Sequence, residues 1–363
     1  MKKFKIAVLA GDGIGLEVTS ICCDLLKQVG AHHGSFALDT EWLNAGADCY
    51  QQTGEALPGE TMQVCREADA ILLGAMGLPN IRYSDGTEIA PQLDLRFELN
   101  LYAGVRPVKP MKSLPLPLRN PDRRNIDFIL IRESTEGLFA SHGKGVVTND
   151  QEATDTMRIT RSACERLFRF GFELSRKRKD QGYPGRLTCV DKANVFASMA
   201  FFRKIYEEVG EQFPDIGKEC MYVDAAALNM VKQPWNMDVL VTENMFGDIL
   251  SDLGAGLMGG MGMAPSADIG DQHAVFQPCH GSAPDIAGQG KANPTAMFLS
   301  GAMMLEWLGE QHRQPDLVRC AELINKAVED AYAKPGLLPY ELGGQSGTNE
   351  ITRTVQIEIE RLL

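Results

Sequence analysis

Short apolar runs alternate along the chain with longer segments in which apolar positions recur at helical spacing. Phe4 to Leu9 predicts a strand, Leu16 to Val29 a helix, and Phe36 to Trp42 and Ala68 to Leu73 two further strands. That alternation predicts an open, largely parallel α/β sheet. Pro107, Pro110, Pro115, Pro117 and Pro121 then crowd a connector that ends at a strong strand, Ile126 to Ile131, and a domain boundary is expected there. A second α/β region follows, with an amphipathic helix over Thr160 to Lys177, a strand over Leu187 to Val190, a helix over Phe196 to Val209 and a buried strand over Asp238 to Val241. Glycines punctuate the chain after residue 253, a Gly/Pro-rich loop runs from Pro278 to Pro294, and Ala296 to Leu308 reads as a buried helix. Leu342 to Thr348 is a loop before a final helix, and no internal repeat is present.

The 363 residues, 44% hydrophobic, suffice for two domains with substantial cores. A net charge of −12 argues against nonspecific binding to nucleic acid or to an anionic membrane, because the electrostatic contribution is repulsive. The N-terminal apolar run stops at Gly11-Asp12-Gly13, too soon for a signal peptide, and no stretch has the length to span a bilayer. Nine cysteines, an odd number without a CxxC pair, argue against a disulfide framework or a zinc site and point to a reducing cytoplasm. Cys189 and Cys279 lie beside the motifs below and read as small apolar fillers.

The most informative stretch is Asn244-Met245-Phe246-Gly247-Asp248-Ile249-Leu250-Ser251-Asp252-Leu253. If it is helical after Gly247, Asp248 and Asp252 stand four apart on one face, and two like charges so placed call for a positive group between them. Oxygen ligands alone suit a hard cation such as Mg2+ or Mn2+. The alternative is a solvated acidic face, which the apolar Ile249, Leu250 and Leu253 disfavour. Arg96, Arg106 and Arg132 each stand near an expected strand or helix end. Converging guanidinium forks would grip a di- or tricarboxylate, whereas taken singly each is a surface ion pair. Lys192, between a strand and a helix, is a candidate general base. Asp224 is either a third metal ligand or a helix N-cap. The loop His280-Gly281-Ser282-Ala283-Pro284-Asp285-Ile286 joins small residues to a histidine and an acid able to accept from ribose hydroxyls; the alternative is a surface turn. Gly11-Asp12-Gly13-Ile14-Gly15 has the wrong spacing for a dinucleotide fingerprint and reads as a tight strand-to-helix turn, so a standard Rossmann fold is not expected.

Together these segments, from Gly11 to Thr348, resemble the β-decarboxylating dehydrogenases that act on 3-isopropylmalate, isocitrate, homoisocitrate, tartrate and D-malate. The resemblance implies a two-domain α/β fold of the isopropylmalate/isocitrate dehydrogenase type, in a homodimer with shared active sites. Residues 1–102 and 255–363 would form a large cofactor-binding domain, and 103–254 a substrate, metal and dimerisation domain with an arm. By that similarity Arg96, Arg106 and Arg132 hold the carboxylates of a small 2-hydroxy acid. Asp248 and Asp252 of one subunit and Asp224 of the other hold Mg2+ or Mn2+, which polarises the ketone product and stabilises the enolate left by CO2. Lys192, also from the neighbouring subunit, takes the C2 hydroxyl proton as hydride leaves for NAD. His280 to Ile286 and Asn293 match the cofactor loop, and Asp285 resembles NAD-using members because an acid repels a 2'-phosphate. Leu93, Asn194 and Val195 complete the expected substrate site.

Two departures stand out. The family segment ending in tyrosine here reads Arg132-Glu133-Ser134-Thr135-Glu136-Gly137-Leu138-Phe139, so the hydroxyl that helps protonate the enol is missing and Phe139 takes its place. Where isopropylmalate enzymes carry leucine and glutamate against the variable substituent, this chain has Gln92 and Ile89, with Leu93 retained. The expectation is oxidative decarboxylation of a substituted D-malate, with 3-isopropylmalate of leucine biosynthesis as the first choice. A polar-substituted malate such as tartrate, D-malate, isocitrate or homoisocitrate is the alternative, and a catalytically silent regulatory relative is the rival from another class.

Overall fold

A computed structural model describes residues 2–363, which divide into two compact units. The first takes residues 2–100, 110–117 and 258–363, and the second 101–109 and 118–257. The junctions lie within three residues of the expected 102/103 and 254/255, but the proline-rich segment Pro110–Pro117 belongs to the first unit, not the second.

The first unit begins with β1 (Lys2–Gly11), α1 (Gly15–His33), β2 (Phe36–Trp42), α2 (Ala47–Thr53), α3 (Gly59–Glu67), β3 (Ala70–Ala75) and α4 (Pro91–Glu98). The second holds β4 (Ala103–Val108), β5 (Phe128–Glu133), a hairpin of β6 (Val146–Thr148) and β7 (Glu152–Thr154), α5 (Arg161–Asp180), β8 (Arg186–Asp191), α6 (Ala197–Gly210), β9 (Gly217–Tyr222), α7 (Val223–Lys232), β10 (Val239–Thr242) and α8 (Asn244–Met258). The chain then completes the first unit with β11 (Pro265–Ile269), β12 (Ala274–Pro278), α9 (Thr295–Gln311), α10 (Pro315–Tyr332) and α11 (Thr348–Leu362).

In the first unit the strands follow the order β2-β1-β3-β12-β11, with only the β11/β12 pair antiparallel. Every residue of β3 is buried, as expected of a parallel strand covered on both faces, whose sequence is a continuous apolar run rather than an alternation. Helix α9 is apolar and buried on nearly every face from Thr295 to Leu305, and it packs against α1 and α10. The β1–α1 turn is held by Asp12, whose carboxylate accepts from the backbone N–H of Ala47 at 2.7 Å, Asp48 at 2.9 Å and Gly77 at 2.7 Å. Gly13 (φ +56°) passes so close to the Ser282 carbonyl that a Cβ would lie 2.0 Å from that oxygen. The glycine cluster is therefore a packing turn that seats residues 282–283, and the Rossmann reading is excluded by geometry as well as by spacing.

In the second unit the order is β4-β5-β10-β8-β9, with only β4/β5 antiparallel. Its core is aromatic: Phe168 meets Phe202 edge-on at 4.7 Å, and Phe172 stacks on Phe213 at 4.9 Å. Such pairs add about 0.5–1.5 kcal/mol each beyond the area they bury. Helix α5 starts at Thr160, whose own backbone N–H is held by Glu136 Oε2 at 2.7 Å while its hydroxyl accepts from Ala163 N. No described helix is long and apolar enough to cross a membrane.

Candidate active site

Strand β10 delivers the chain into α8, which begins at Asn244 rather than after Gly247, so Asp248 and Asp252 lie on its second and third turns and share a face. Antiparallel pairing sets Gly104 opposite Arg132, which makes Arg106 its diagonal neighbour on the same face of β4/β5. The two guanidinium groups and two carboxylates therefore meet within the second unit. Arg132 donates from Nε to Asn244 Oδ1 at 2.9 Å and pairs with Asp248 through a terminal nitrogen. Burial and the neighbouring Asp248 push the Asp252 carboxyl above its ordinary range, while Arg132 and Arg106 pull it back down. Gly247 is what lets α8 approach: a Cβ there would stand 2.6 Å from Arg132 Cγ.

None of the three arginines is a surface ion pair; Arg96 is 7%, Arg106 5% and Arg132 4% exposed. Arg106 lies inside β4 and not at a strand end. Arg96 belongs to the first unit, where its Nε donates to Asp268 at 3.1 Å, and Gln277 fixes the same oxygen at 2.9 Å. One turn before it on α4 stands Gln92, whose Oε1 is buried with no hydrogen-bond partner; Leu93 beside it is half-buried.

Lys192 and Asp224 form a second cluster, on the loop after β8 and in the first turn of α7. Lys192 Nζ reaches Asp224 Oδ1 at 2.5 Å and holds that carboxyl below its ordinary range. Asp224 caps no helix: Tyr222 occupies the cap position, and the carboxylate is largely exposed. Asn194 and Val195 are exposed on the same loop. Among the described residues no three His, Cys, Asp or Glu side chains of one chain form a metal-binding group. Phe139 sits with its ring 5.0 Å from the Arg132 guanidinium.

The loop from His280 to Ile286 is anchored through Ser282, whose carbonyl accepts from Ile14 N at 2.8 Å and whose hydroxyl donates to Gly77. Ala283 takes a left-handed backbone (φ 37°), and Gly281, Pro284 and Asp285 are exposed. Burial holds the His280 imidazole below its ordinary range, with Nδ1 against the Gly281 carbonyl and Nε2 unpartnered. Asn293 is buried, its amide donating to Glu341 at 2.5 Å and its carbonyl accepting from Thr295 N at 3.1 Å. These bonds tie Asn293 to its own chain, while Asp285 is exposed. The apolar flank expected to bury the acidic segment is only partial, since Leu250 is buried but Ile249 is 63% exposed. Sequence reasoning missed Asn244, Asp268 and Gln277, polar residues whose roles arise only from what lies across the sheet.

A family model for isocitrate/isopropylmalate dehydrogenases matches residues 5–355. The chain is 41% identical to the 3-isopropylmalate dehydrogenase of Aquifex aeolicus, over 100% of this chain and 99% of that protein. It is 42% identical to the 3-isopropylmalate/3-methylmalate dehydrogenase of Methanocaldococcus jannaschii, over 97% of each. Among solved structures, isocitrate dehydrogenase from Methylococcus capsulatus superimposes with a TM-score of 0.84 at 32% identity, covering 98% of this chain and 99% of that one. A β-decarboxylating dehydrogenase from Thermococcus kodakarensis gives 0.80 at 36% identity, covering 99% and 97%. The fold is that of these dehydrogenases, and the chain is an oxidoreductase of the β-decarboxylating class. It belongs to the isocitrate/isopropylmalate dehydrogenase family.

Proposed function

We propose that the protein oxidises and decarboxylates a substituted D-malate, with 3-isopropylmalate as the leading substrate, NAD as hydride acceptor and Mg2+ or Mn2+ as the cation. The observation that carries this reading is the meeting of Arg106 and Arg132 with Asp248 and Asp252 on one face. Buried guanidinium groups attract substrate carboxylates, and two neighbouring acids, of which Asp248 raises the proton affinity of Asp252, are a donor set that a hard divalent cation satisfies. Asp248, Asp252 and, from a second copy, Asp224 would hold that cation, which when bound supplies Lewis-acid polarisation of the substrate oxygens. Lys192 takes the C2 hydroxyl proton, and its contact with Asp224 fixes the amine for that transfer. The left-handed turn at Ala283 and the outward Asp285 suit the ribose of NAD and repel a 2'-phosphate.

A homodimer is part of this reading, and what one chain leaves uncovered supports it. Val195, Leu228, Val231 and Ile249 are 50–63% exposed, and the β6/β7 hairpin carries Val146 and Val147 outward on a two-stranded arm that is marginal alone. A cytoplasmic location is part of the same reading.

Gln92 favours a second substrate. Its buried, unpartnered Oε1 asks for a donor that an isopropyl group lacks and a hydroxylated substituent, as in tartrate, has. The test is NADH formation with Mg2+ or Mn2+ across 3-isopropylmalate, 3-methylmalate, D-malate, tartrate, isocitrate and homoisocitrate. Highest kcat/KM on 3-isopropylmalate is expected; turnover of only the polar-substituted acids removes it in favour of the second reading. Phe139→Tyr is expected to raise kcat by up to about 10²-fold by restoring a general acid. Ligand binding without turnover in either form would instead indicate a silent subunit.

A further inference from the structure

Strands β8 and β9 run parallel with Cys189 directly opposite Cys220. Neighbouring strands stand about 4.7–4.9 Å apart and residues in register share a face. That spacing falls inside the roughly 4.4–6.8 Å between α-carbons that a disulfide requires. Each thiol shifts the proton affinity of the other, Cys189 upward and Cys220 downward. Among the described cysteines Cys220 alone is exposed, and its partner is buried.

The surroundings give the two sulfurs different chemistry. The hydrogen bond from Cys189, followed by the Arg203 guanidinium, holds the Cys220 thiol below its ordinary range, against the opposing effect of partial burial. Burial pushes Cys189 well up. Arg203 is fixed there by Asp191, which it grips with two hydrogen bonds of 2.8 Å. The other acids facing this pocket are Glu207 of α6, against Cys220, and Glu219 of β9, which Thr188 Oγ1 approaches at 3.3 Å. An exposed thiol held below its ordinary range beside a buried partner is the arrangement of an attacking and a resolving cysteine.

We propose that Cys189 and Cys220 form an oxidisable dithiol, a modification site for small hydroperoxides, that closes to a disulfide across β8 and β9 and restrains the Lys192–Asp224 pair. The Cys220 thiolate attacks the peroxide O–O bond, forming a sulfenic acid and releasing one oxygen as water after protonation. The Cys189 sulfur then attacks the Cys220 sulfur; the S–O bond breaks, the S–S bond forms, and the Cys189 proton leaves with the hydroxyl as water. Two thiols lose two electrons and two protons while the peroxide is reduced. Asp191 Oδ2, 3.7 Å from Cys189 Sγ, is placed to relay that proton. Lys192 follows β8 directly and Asp224 follows β9 by two residues, so the bridge ties together the two strand ends that carry them. The bond itself is independent of the proposed dehydrogenase activity; the restraint on Lys192 and Asp224 rests on that reading.

The test treats the intact protein with stoichiometric hydrogen peroxide, blocks remaining thiols by alkylation and digests without reduction. A linked peptide joining Cys189 and Cys220, two hydrogens lighter than the dithiol and lost on treatment with dithiothreitol, is expected. NADH formation should fall at least threefold with the bond and return on reduction. Cys220→Ser should abolish both responses and leave untreated turnover intact. Over-oxidation of Cys220 without a link, or links among other cysteines, would overturn the site. A link with unchanged kcat/KM on a substrate the enzyme turns over would overturn the restraint while leaving the dithiol standing.

Discussion

Two arginine–aspartate pairs in the second unit look alike in the sequence and differ in what surrounds them. Arg178 donates to Asp238 at 2.7 Å and to the Asp127 carboxylate and carbonyl at 3.1 and 2.9 Å, while Asp238 takes a further bond from Arg186 N at 2.9 Å and is fully buried. Every charge there is answered from within the chain, and the pair ties α5 to the start of β10. Arg132 is equally buried, but its acid, Asp248, is 48% exposed and stands next to a second carboxylate. The first pair is closed and holds the fold. The second is left with charge turned outward, which is the condition for binding something.

The sharpest way to break this comparison is Arg178→Ala, which strands Asp238 in the core and should lower unfolding stability by about 3–5 kcal/mol in denaturant titrations. Turnover per folded molecule should be unchanged. Arg132→Lys should do the reverse, lowering kcat/KM by about 10²–10³-fold through loss of the planar fork. Its effect on stability should stay below about 1 kcal/mol. Equal losses of stability in the two variants would erase the distinction. A smaller effect is expected from the cation: Mn2+ at about a hundred times its Kd should raise unfolding stability by about 2.7 kcal/mol. The gain should vanish in Asp248→Asn and leave Arg178→Ala responsive.

The smallest effect concerns Asp252. Its folded pKa lies above the unfolded value, so its ionised form is disfavoured by folding. The stabilising proton is fully present below the unfolded pKa and is lost as pH rises through the folded one. Asp252→Asn should therefore raise the metal-free Tm at pH 7 by about 1–2 °C in calorimetry, while abolishing the rise with Mn2+. In the unsubstituted protein, cation affinity should weaken as pH falls from 7 to 5, because protons compete for the same oxygens.

Much of the fold was legible because its periodicity is local. The strands at Phe36–Trp42 and Phe128–Glu133 and the helices at α1, α5, α6 and α9 follow from apolar spacing and from punctuation by glycine and proline. The β11/β12 pair went unread, since its short apolar runs sit among glycines and resemble loop. The acidic helix was legible as a motif, although its start at Asn244 was not, because the bond that recruits Asn244 comes from Arg132 on another strand. Cys189 read as filler for the same reason: nothing near it in sequence announces Cys220 across the ladder.

The chain by itself determined many of its strands and helices, its family and the carboxylates, arginines and lysine proposed to carry the chemistry, because each of these is a property of residue type and short-range spacing. Only the tertiary structure decided which charges are compensated, that Arg106 and Arg132 share a face, and that two cysteines stand in register. Those depend on strand pairing and burial, which set the distances and the local dielectric, and neither is encoded in any one segment.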